Sequence, residues 1–203
     1  MGRRVKNETP FLLALNHIVS VDLVAREQRR RDYLSLNTSA GVPTLELDDG
    51  TVLVQSMAIL DYLDARWPEP RLIPQDHLER AQVNALAYTV AMDIHPVNNL
   101  RVMSHLKSRF SATPNQGQDW MIHWINEGFS AAEFLLNDTS DFSLGASPNI
   151  ADLCIVAQVY NAQRWGVDMA AFPKISRIEP NCLALPEIAA AHPDQQPDAK
   201  VDI

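Results

Sequence analysis

The chain has 203 residues, which is long enough for one large domain or for two smaller ones that bury their cores without metal or disulfide support. Apolar residues make up 46% of it, yet no run reaches the roughly 18 to 20 apolar residues that cross a bilayer. The formal net charge of −8 disfavours nonspecific binding to nucleic acid or to an anionic membrane surface. We therefore expect a soluble protein that binds neither nucleic acid nor membrane.

Strand and helix signals follow each other in the first third of the chain. Residues 18–24 are rich in β-branched side chains and predict a strand, and a short polar helical segment follows near residues 29–36. Two apolar runs, at 42–47 and 51–54, flank an Asp-Asp-Gly turn sequence and predict a β-hairpin. Apolar residues three and four apart then predict an amphipathic helix over 55–67.

A proline-rich segment at 68–74 should separate two domains, because its three prolines stop both helix and strand. We predict one domain over residues 1–68 and an all-helical domain over 75–203. Long helices are expected at about 78–110, 117–137 and 150–165. Pro96 lies inside the first of these helices and should kink or interrupt it. At the start of the last helix, Asn149 is predicted to be the N-cap, and the Asp152 side chain is predicted to bond to the amide of this cap residue.

Cysteine usage indicates a reducing compartment, because the chain contains only Cys154 and Cys182 and neither belongs to a C-x-x-C motif. Basic residues precede a short apolar run near the start, but no small-residue cleavage site follows, so we expect no secretion signal and a cytoplasmic protein. The six histidines are scattered, and no H-E-x-x-H or G-x-S-x-G motif occurs, so we expect no metal site.

Several local sequences resemble a known family. They read LNTSAGVPTL at 36–45, then LVQSMAILDYLD, PEPRLIP, DIHPVNNLRV, NIADLCIVAQV and NAQRWGVD. Over about residues 16–190 they are similar to the zeta class of glutathione transferases, the glutathione-dependent maleylacetoacetate and maleylpyruvate isomerases. The resemblance implies an α/β plus all-α protein with the glutathione transferase fold, an N-terminal thioredoxin-like domain, a helical C-terminal domain and a homodimeric assembly.

The resemblance further implies that the first domain binds glutathione. Val42 precedes Pro43, which matches a cis proline that exposes the backbone of the preceding residue to the cysteinyl part of glutathione. Gln55 and Ser56 match residues at a helix start that bind the γ-glutamyl carboxylate, and Gln28 matches a further contact. From the residues alone, these positions also fit an ordinary turn proline, a helix cap and a solvated glutamine.

A second group of matching residues lies in the helical domain. His95, Asn99, Leu100 and Arg101 match family positions that border glutathione or the substrate, and His95 and Asn99 are four residues apart, on one helix face. Arg101 and Arg164 match arginines that receive the carboxylates of the substrate. Taken alone, a single helical histidine is also typical of a hydrogen-bonded core residue, and each arginine of a surface ion pair.

The implied reaction is cis–trans isomerisation. In this family the glutathione thiolate adds to the cis double bond of a dicarbonyl acid, the former double bond rotates, and the thiolate leaves to give the trans product. The sequence leaves open whether maleylacetoacetate or maleylpyruvate is the substrate. It also leaves open a second hypothesis, in which the chain is a non-catalytic or truncated relative that retains the helical dimerisation domain.

Two departures from the family pattern bear on activity. The LALN sequence at 13–16 matches the end of the family's first helix, and residues 1–12 contain no serine for its serine-rich turn. We therefore expect a first domain that lacks its first strand and helix, with Thr9, followed by Pro10, as the remaining candidate hydroxyl and no catalytic residue assigned. Ala40 stands where the family usually has glycine and Thr38 where it has proline, which is expected to alter the path of that loop.

Overall fold

A computed structural model describes residues 17–196 and Ala199. The chain divides into two compact units, the first ending at Arg71 and the second beginning at Leu72. In the described residues, the first unit contains a β-hairpin and short helices, whereas the second unit contains helices and no strands. None of the helices in this part of the chain is both long and apolar enough to cross a membrane.

The first unit is built around the predicted β-hairpin. Strand β1 (Thr44–Glu46) pairs antiparallel with β2 (Val52–Val54), and Leu45 lies opposite Leu53. Gly50 closes the turn with a φ of 83°, which glycine adopts without a steric penalty. The helices of this unit are a 3-10 helix (Glu27–Arg29), α1 (Arg31–Leu36) and α2 (Ser56–Arg66), and they include the two helical segments predicted near 29–36 and over 55–67.

The predicted strand at 18–24 is wrong. The segment is irregular, and Ile18, Val19 and Val24 are 71%, 70% and 79% exposed. Within residues 17–196, the sheet consists of β1 and β2, so no neighbouring strand pairs with this segment. β-branched residues favour a strand only where a neighbour supplies hydrogen bonds and packing surface. The segment instead ends in a turn, in which Asp22 Oδ1 accepts hydrogen bonds from the amides of Val24 and Ala25, both at 2.9 Å.

The second unit is helical, as predicted. Its long helices correspond to the three predicted ones, although the first is divided. The elements are α3 (His77–Tyr88), a π-helix (Thr89–Ile94), α4 (Leu100–Phe110), α5 (Pro114–Leu135), α6 (Ile150–Trp165), a 3-10 helix (Met169–Ala171), α7 (Pro173–Leu183), α8 (Pro186–Ala190) and a 3-10 helix (Pro193–Gln195).

The core of the second unit is formed by large apolar side chains from α3, the π-helix, α5, α6 and α7. At Gly128 in α5, a Cβ atom would overlap the side chain of Ile94, so glycine is required for the π-helix to approach α5 this closely. The fully buried side chains of this core include Leu86, Ile94, Ile125, Phe129, Ile155, Val159, Ile175 and Ile178.

The first long helix is interrupted at Pro96, which is one of the two outcomes predicted for this proline. The helix continues from α3 into the π-helix, which ends at Ile94, and the chain then forms a turn over residues 95–98. Because proline has no amide hydrogen and its ring clashes with the preceding turn, the helical hydrogen-bond pattern stops here. A separate helix, α4, begins at Leu100.

The start of α6 is held by a buried carboxylate, which confirms the predicted cap. Asp152 Oδ2 accepts a hydrogen bond from the amide of Asn149 at 2.8 Å, and Asn149 Oδ1 accepts one from the amide of Ala151 at 2.9 Å. Asp152 also accepts bonds from the amide of Ser143 at 2.7 Å and from the Ser143 hydroxyl at 3.0 Å. Burial raises the pKa of Asp152, although these hydrogen bonds oppose the shift.

Candidate functional site

The loop before β1 carries the first group of candidate residues. The peptide bond between Val42 and Pro43 is cis, as the family resemblance implied, and Val42 is 44% exposed. Neither the backbone N–H nor the C=O of Val42 forms a hydrogen bond with another described residue. The turn therefore presents an unpaired backbone donor and acceptor at the surface of the first unit.

Two side chains hold the residues on either side of this turn. The Tyr33 hydroxyl donates to the carbonyl of Gly41 at 2.6 Å and contacts Thr44 Oγ1 at 2.8 Å. The amide nitrogen of Asn37 donates to the same carbonyl at 2.9 Å and to Thr44 Oγ1 at 3.3 Å. Tyr33 in α1 and Asn37 directly after α1 therefore each hold both Gly41 and Thr44.

Gln55 and Ser56 lie at the start of α2 and are both exposed. Gln55 has a φ of 73° and a ψ of 117°, a backbone conformation that residues with a Cβ atom rarely adopt. Its side chain makes no capping hydrogen bond. Backbone strain of this kind is often kept at ligand-binding positions, where the surrounding structure enforces it. Since the N-terminal end of a helix attracts negative charge, this position suits a carboxylate.

Gln28 lies in the 3-10 helix of the first unit and is half-buried. Its Oε1 atom is buried and has no hydrogen-bond partner among the described residues, so Gln28 is not the fully solvated side chain that its sequence context allowed. The structure gives Gln28 no hydrogen bond to Val42, Gln55 or Ser56.

Ala40 is strained in the loop that leads to Val42. Its φ is 53°, in the left-handed region that favours glycine, so the loop keeps a glycine-like backbone where the resemblance implies a glycine. We expect Ala40→Gly to raise the free energy of unfolding by about 0.5–1 kcal/mol, because glycine removes the Cβ clash. Urea denaturation followed by circular dichroism measures this change.

Ala58→Gly is the matched control, because Ala58 is an exposed residue inside α2. There glycine should lower the free energy of unfolding by about 1 kcal/mol. Loss of stability in both variants would contradict the assigned strain at Ala40.

The second group of candidates lies on the connection between the π-helix and α4. His95 directly follows the π-helix, with its amide bonded to the Val90 carbonyl at 2.9 Å, whereas Asn99 is extended (φ −68°, ψ 147°) and caps α4. The prediction that His95 and Asn99 share a helix face is therefore wrong, because Pro96 ends the helix between them. Asn99 Oδ1 accepts a hydrogen bond from the amide of Arg101 at 3.1 Å, so its side chain fixes the start of α4.

His95, Leu100 and Arg101 are all exposed on this connection, so His95 is not a core residue. The pKa of His95 is lowered, mainly because neighbouring atoms withdraw part of its ring from water and secondly because the positive charge of Arg101 lies nearby. The shift disfavours the charged imidazole, so the positive charge of this segment resides mainly on Arg101.

Arg164 lies in the last turn of α6, with an exposed side chain. Its guanidinium makes no hydrogen bond or ion pair with another described residue, and neither does that of Arg101. The structure thus places His95 and Asn99 on the connection, Leu100 and Arg101 in the first turn of α4, and Arg164 on a different helix. Both arginines are free of the surface ion pairs that the sequence left open.

Trp120 in α5 fixes the connection that carries His95. Its Nε1 atom donates to the carbonyl of Val97 at 2.9 Å, and its ring meets that of Trp124 edge to face at 5.7 Å between centroids. The bond joins residues 23 positions apart, so it holds the turn after Pro96 against α5.

Neither cysteine is a candidate nucleophile. Burial, with a smaller contribution from the nearby charge of Asp152, raises the pKa of Cys154 to about 11 and that of Cys182 to about 12. Both side chains therefore remain thiols at neutral pH. The described residues contain no cluster of three or more His, Cys, Asp or Glu side chains that could hold a metal ion.

Sequence reasoning missed Tyr33 and Asn37. Asn37 followed by Ser39 is the pattern of an Asx turn, in which Asn37 Oδ1 accepts a hydrogen bond from the Ser39 amide, here at 3.0 Å, and this pattern could have marked Asn37. Tyr33 has no such local signal, because its partners lie eight and eleven residues away.

Three predictions for the N-terminal segment lie outside the described residues. They are the missing first strand and helix, the LALN match at 13–16, and Thr9 with Pro10 as the candidate hydroxyl. They remain predictions, and no residue is assigned to activate the glutathione thiol.

Comparison with known proteins places this geometry in a family. The family model described as glutathione S-transferase, N-terminal domain, matches residues 11–66. The chain is 41% identical over 174 residues to the probable maleylacetoacetate isomerase of Vibrio cholerae serotype O1, covering 85% of this chain and 80% of that relative.

Solved structures are similar over the same extent. The holo structure of a maleyl pyruvate isomerase, a bacterial glutathione S-transferase in the zeta class, has a TM-score of 0.85 and 36% identity and covers 89% of this chain and 86% of its own. The maleylacetoacetate isomerase of Anaeromyxobacter dehalogenans 2CP-1 was solved with bound dicarboxyethyl glutathione and citrate in its active site. It has a TM-score of 0.78 and 40% identity, and the match covers 90% of this chain and 81% of that one. The predicted glutathione transferase fold is confirmed. This chain belongs to the zeta class of glutathione transferases, the family of the maleylacetoacetate and maleylpyruvate isomerases.

Proposed function

We propose that this protein is a glutathione-dependent cis–trans isomerase acting on a dicarbonyl acid of the maleylacetoacetate or maleylpyruvate type. The zeta-class relatives support the proposal, since the alignments cover 85% of the chain or more. The observation that carries it is the pair of exposed arginines, Arg101 and Arg164, which have no carboxylate partner in the described part of the chain.

The first unit fits glutathione at Val42, Gln55 and Ser56. The unpaired backbone N–H and C=O of Val42 suit the cysteinyl part of a peptide ligand, which carries the complementary acceptor and donor. The start of α2, with the exposed Ser56 hydroxyl, suits the γ-glutamyl carboxylate. We extend the proposal to Gln28, whose buried Oε1 lacks a partner within residues 17–196.

In the second unit, we assign His95, Asn99, Leu100 and Arg101 to the border of glutathione and the substrate. Asn99 orders the start of α4, and Arg101 adds a full positive charge at this helix end. Arg101 and Arg164 would each bind a carboxylate through two parallel N–H···O bonds. The bound dicarboxyethyl glutathione and citrate of the Anaeromyxobacter isomerase support a site that accepts several carboxylates.

In this proposal, the residues of this chain act by binding the two reactants. Bound glutathione supplies the thiolate that adds to the cis double bond, permits its rotation and leaves again. Arg101 and Arg164 fix the carboxylates of the acid, and Val42, Gln55 and Ser56 fix the peptide. Binding of both reactants lowers the barrier by reducing the entropic cost of bringing them together. Because the lowered pKa of His95 disfavours its charged form, the two arginines provide the charge that attracts the acid.

We also infer a cytoplasmic homodimer. Several large apolar side chains of the second unit are exposed, and a second subunit would cover such side chains. They are Leu78 at 68%, Met92 at 56%, Phe134 at 86% and Tyr88 at 37%. A reducing compartment agrees with the two free cysteines and with a reaction that depends on a free glutathione thiol.

The decisive experiment mixes the protein with maleylacetoacetate or maleylpyruvate, with and without glutathione, and follows the loss of enol absorbance. We expect a rate that depends on glutathione and exceeds the background of glutathione alone, and the faster acid identifies the substrate. Calorimetry should show glutathione binding in the micromolar range. The absence of a glutathione-dependent rate above background would overturn the proposal in favour of a non-catalytic relative.

A further inference from the structure

Tyr33, Asn37, Gly41 and Thr44 form a closed hydrogen-bond cluster. The Gly41 carbonyl only accepts, so the single hydrogen of the Tyr33 hydroxyl points to it across 2.6 Å. At the 2.8 Å contact with Thr44, the threonine hydroxyl is therefore the donor and the tyrosine oxygen the acceptor. The two hydrogens of Asn37 Nδ2 go to Gly41 and to Thr44, at 2.9 and 3.3 Å. Every hydrogen in the cluster thus has an acceptor, and the Gly41 carbonyl accepts two of them.

The other end of the Asn37 side chain is also occupied. Its Oδ1 atom accepts hydrogen bonds from the amide and the hydroxyl of Ser39, at 3.0 and 2.7 Å. Asn37 is 5% exposed, so these bonds form away from water, where a lost partner is not replaced by solvent. Because both ends are bonded, Asn37 has one orientation, and it holds the loop over 37–44 in one conformation.

The cluster encloses the turn at Val42 without using the backbone groups of Val42. Those groups make no hydrogen bond with a described residue, while the residues on both sides of the turn are pinned. A ligand that pairs with Val42 therefore meets a donor and an acceptor that are already in place. Preorganisation raises affinity because less conformational entropy is lost on binding.

We propose that Tyr33 and Asn37 are positioning residues that set the affinity for glutathione, by holding Gly41 and Thr44 on either side of the Val42 backbone. The inference rests on the proposed glutathione-binding function and adds residues that act through the loop. It predicts that the hydroxyl of Tyr33 affects glutathione affinity more than turnover.

Tyr33→Phe tests the inference, because it removes the hydroxyl and keeps the ring. In calorimetry on the full chain, we expect the Kd for glutathione to rise roughly 3- to 10-fold, the effect of one lost hydrogen bond. The kcat at saturating glutathione should stay within about twofold of the parent, because the assigned role is in binding. Tyr62→Phe is the matched control, since the Tyr62 hydroxyl, on α2, makes no hydrogen bond with a described residue, and its Kd should equal that of the parent.

Thr44 offers a second and independent pair of variants. Thr44→Val removes the hydroxyl while keeping the β-branched shape of this first residue of β1, and it should raise the Kd by a similar factor. Thr44→Ser restores the hydroxyl and should restore the Kd to within about twofold of the parent. This pair decides the question if Tyr33→Phe does not fold.

The outcomes distinguish failure of this inference from failure of the proposed glutathione-binding function. A parent-like Kd in both Tyr33→Phe and Thr44→Val, even with a lower melting temperature, would show that the cluster supports the fold and not the affinity, and would overturn the inference alone. If the parent chain itself binds no glutathione, the proposed function fails and the inference falls with it.

Discussion

Replacement of Asp152 by alanine is expected to lower the free energy of unfolding by about 3 kcal/mol or more, as measured by urea denaturation. The carboxylate accepts three hydrogen bonds, from the amides of Ser143 and Asn149 and from the Ser143 hydroxyl, and Asp152 is 0% exposed. Alanine leaves these donors without an acceptor, and each buried unpaired donor costs about 1–3 kcal/mol. Part of the loss is offset, because the raised pKa of Asp152 shows that its ionised form is itself costly to bury.

Asp76→Ala is the matched control for this prediction. Asp76 caps α3 through bonds to the amides of Leu78 and Glu79, at 2.9 and 3.0 Å, and it is exposed. Water replaces the lost acceptor there, so the expected cost is about 1 kcal/mol. Asp152→Asn should fall between the two, because it keeps an acceptor oxygen but turns an amide group toward other donors. Equal losses in Asp76→Ala and Asp152→Ala would refute the importance of burial at α6.

The features that were predicted correctly are those whose partners lie close together in sequence. Asn149 and Asp152 are three residues apart, so the cap could be read from residue types alone. The hairpin likewise depends on one turn, in which Gly50 supplies the positive φ. In both cases the interaction that stabilises the element is contained in the segment that encodes it.

The segment at 18–24 shows why the remaining elements were harder to predict. Its β-branched composition expresses a preference for a packed sheet surface, and a strand forms only when another segment provides that surface. Ile18 and Val19 are 71% and 70% exposed, so their side chains gain nothing from an extended conformation here. The β-branched composition therefore predicted that this segment favours a sheet, but it could not predict whether a neighbouring strand is present to pair with it.

The candidate site contains features that local sequence predicts and features that depend on distant residues. Pro96 predicted a change in the helix, but its residue type does not distinguish a kink from a complete interruption. The interrupted segment is held by a distant residue, through the bond from Trp120 to the carbonyl of Val97, 23 residues earlier. As a result, Asn99 caps a new helix, and its side chain is used to order the amide of Arg101. The candidate residues could be named from the motif, whereas their relative orientation required the structure.

Arg164→Ala is expected to lower kcat/KM for the dicarbonyl acid roughly 10- to 100-fold, the effect of losing a charge-assisted hydrogen-bond pair worth about 1.5–3 kcal/mol. Arg164 has no ion-pair partner in the described part of the chain, so its removal should leave the fold intact. We expect the Kd for glutathione to change by less than about twofold, because Arg164 is assigned to the acid alone. Arg101→Ala should weaken both ligands, since Arg101 is assigned to glutathione and to the acid.

Arg109→Ala is the matched control, because Arg109 is exposed in the last turn of α4, the helix that begins with Leu100 and Arg101. Its kinetics should stay within about twofold of the parent, which separates loss of a specific guanidinium from loss of net positive charge. Arg164→Lys keeps the charge without the planar fork and should recover only part of the activity, since bidentate binding is lost. Parent-like kinetics in Arg164→Ala would remove this residue from the site, and an equal loss in Arg109→Ala would point to a general electrostatic attraction of the acid, with no carboxylate contact at Arg164.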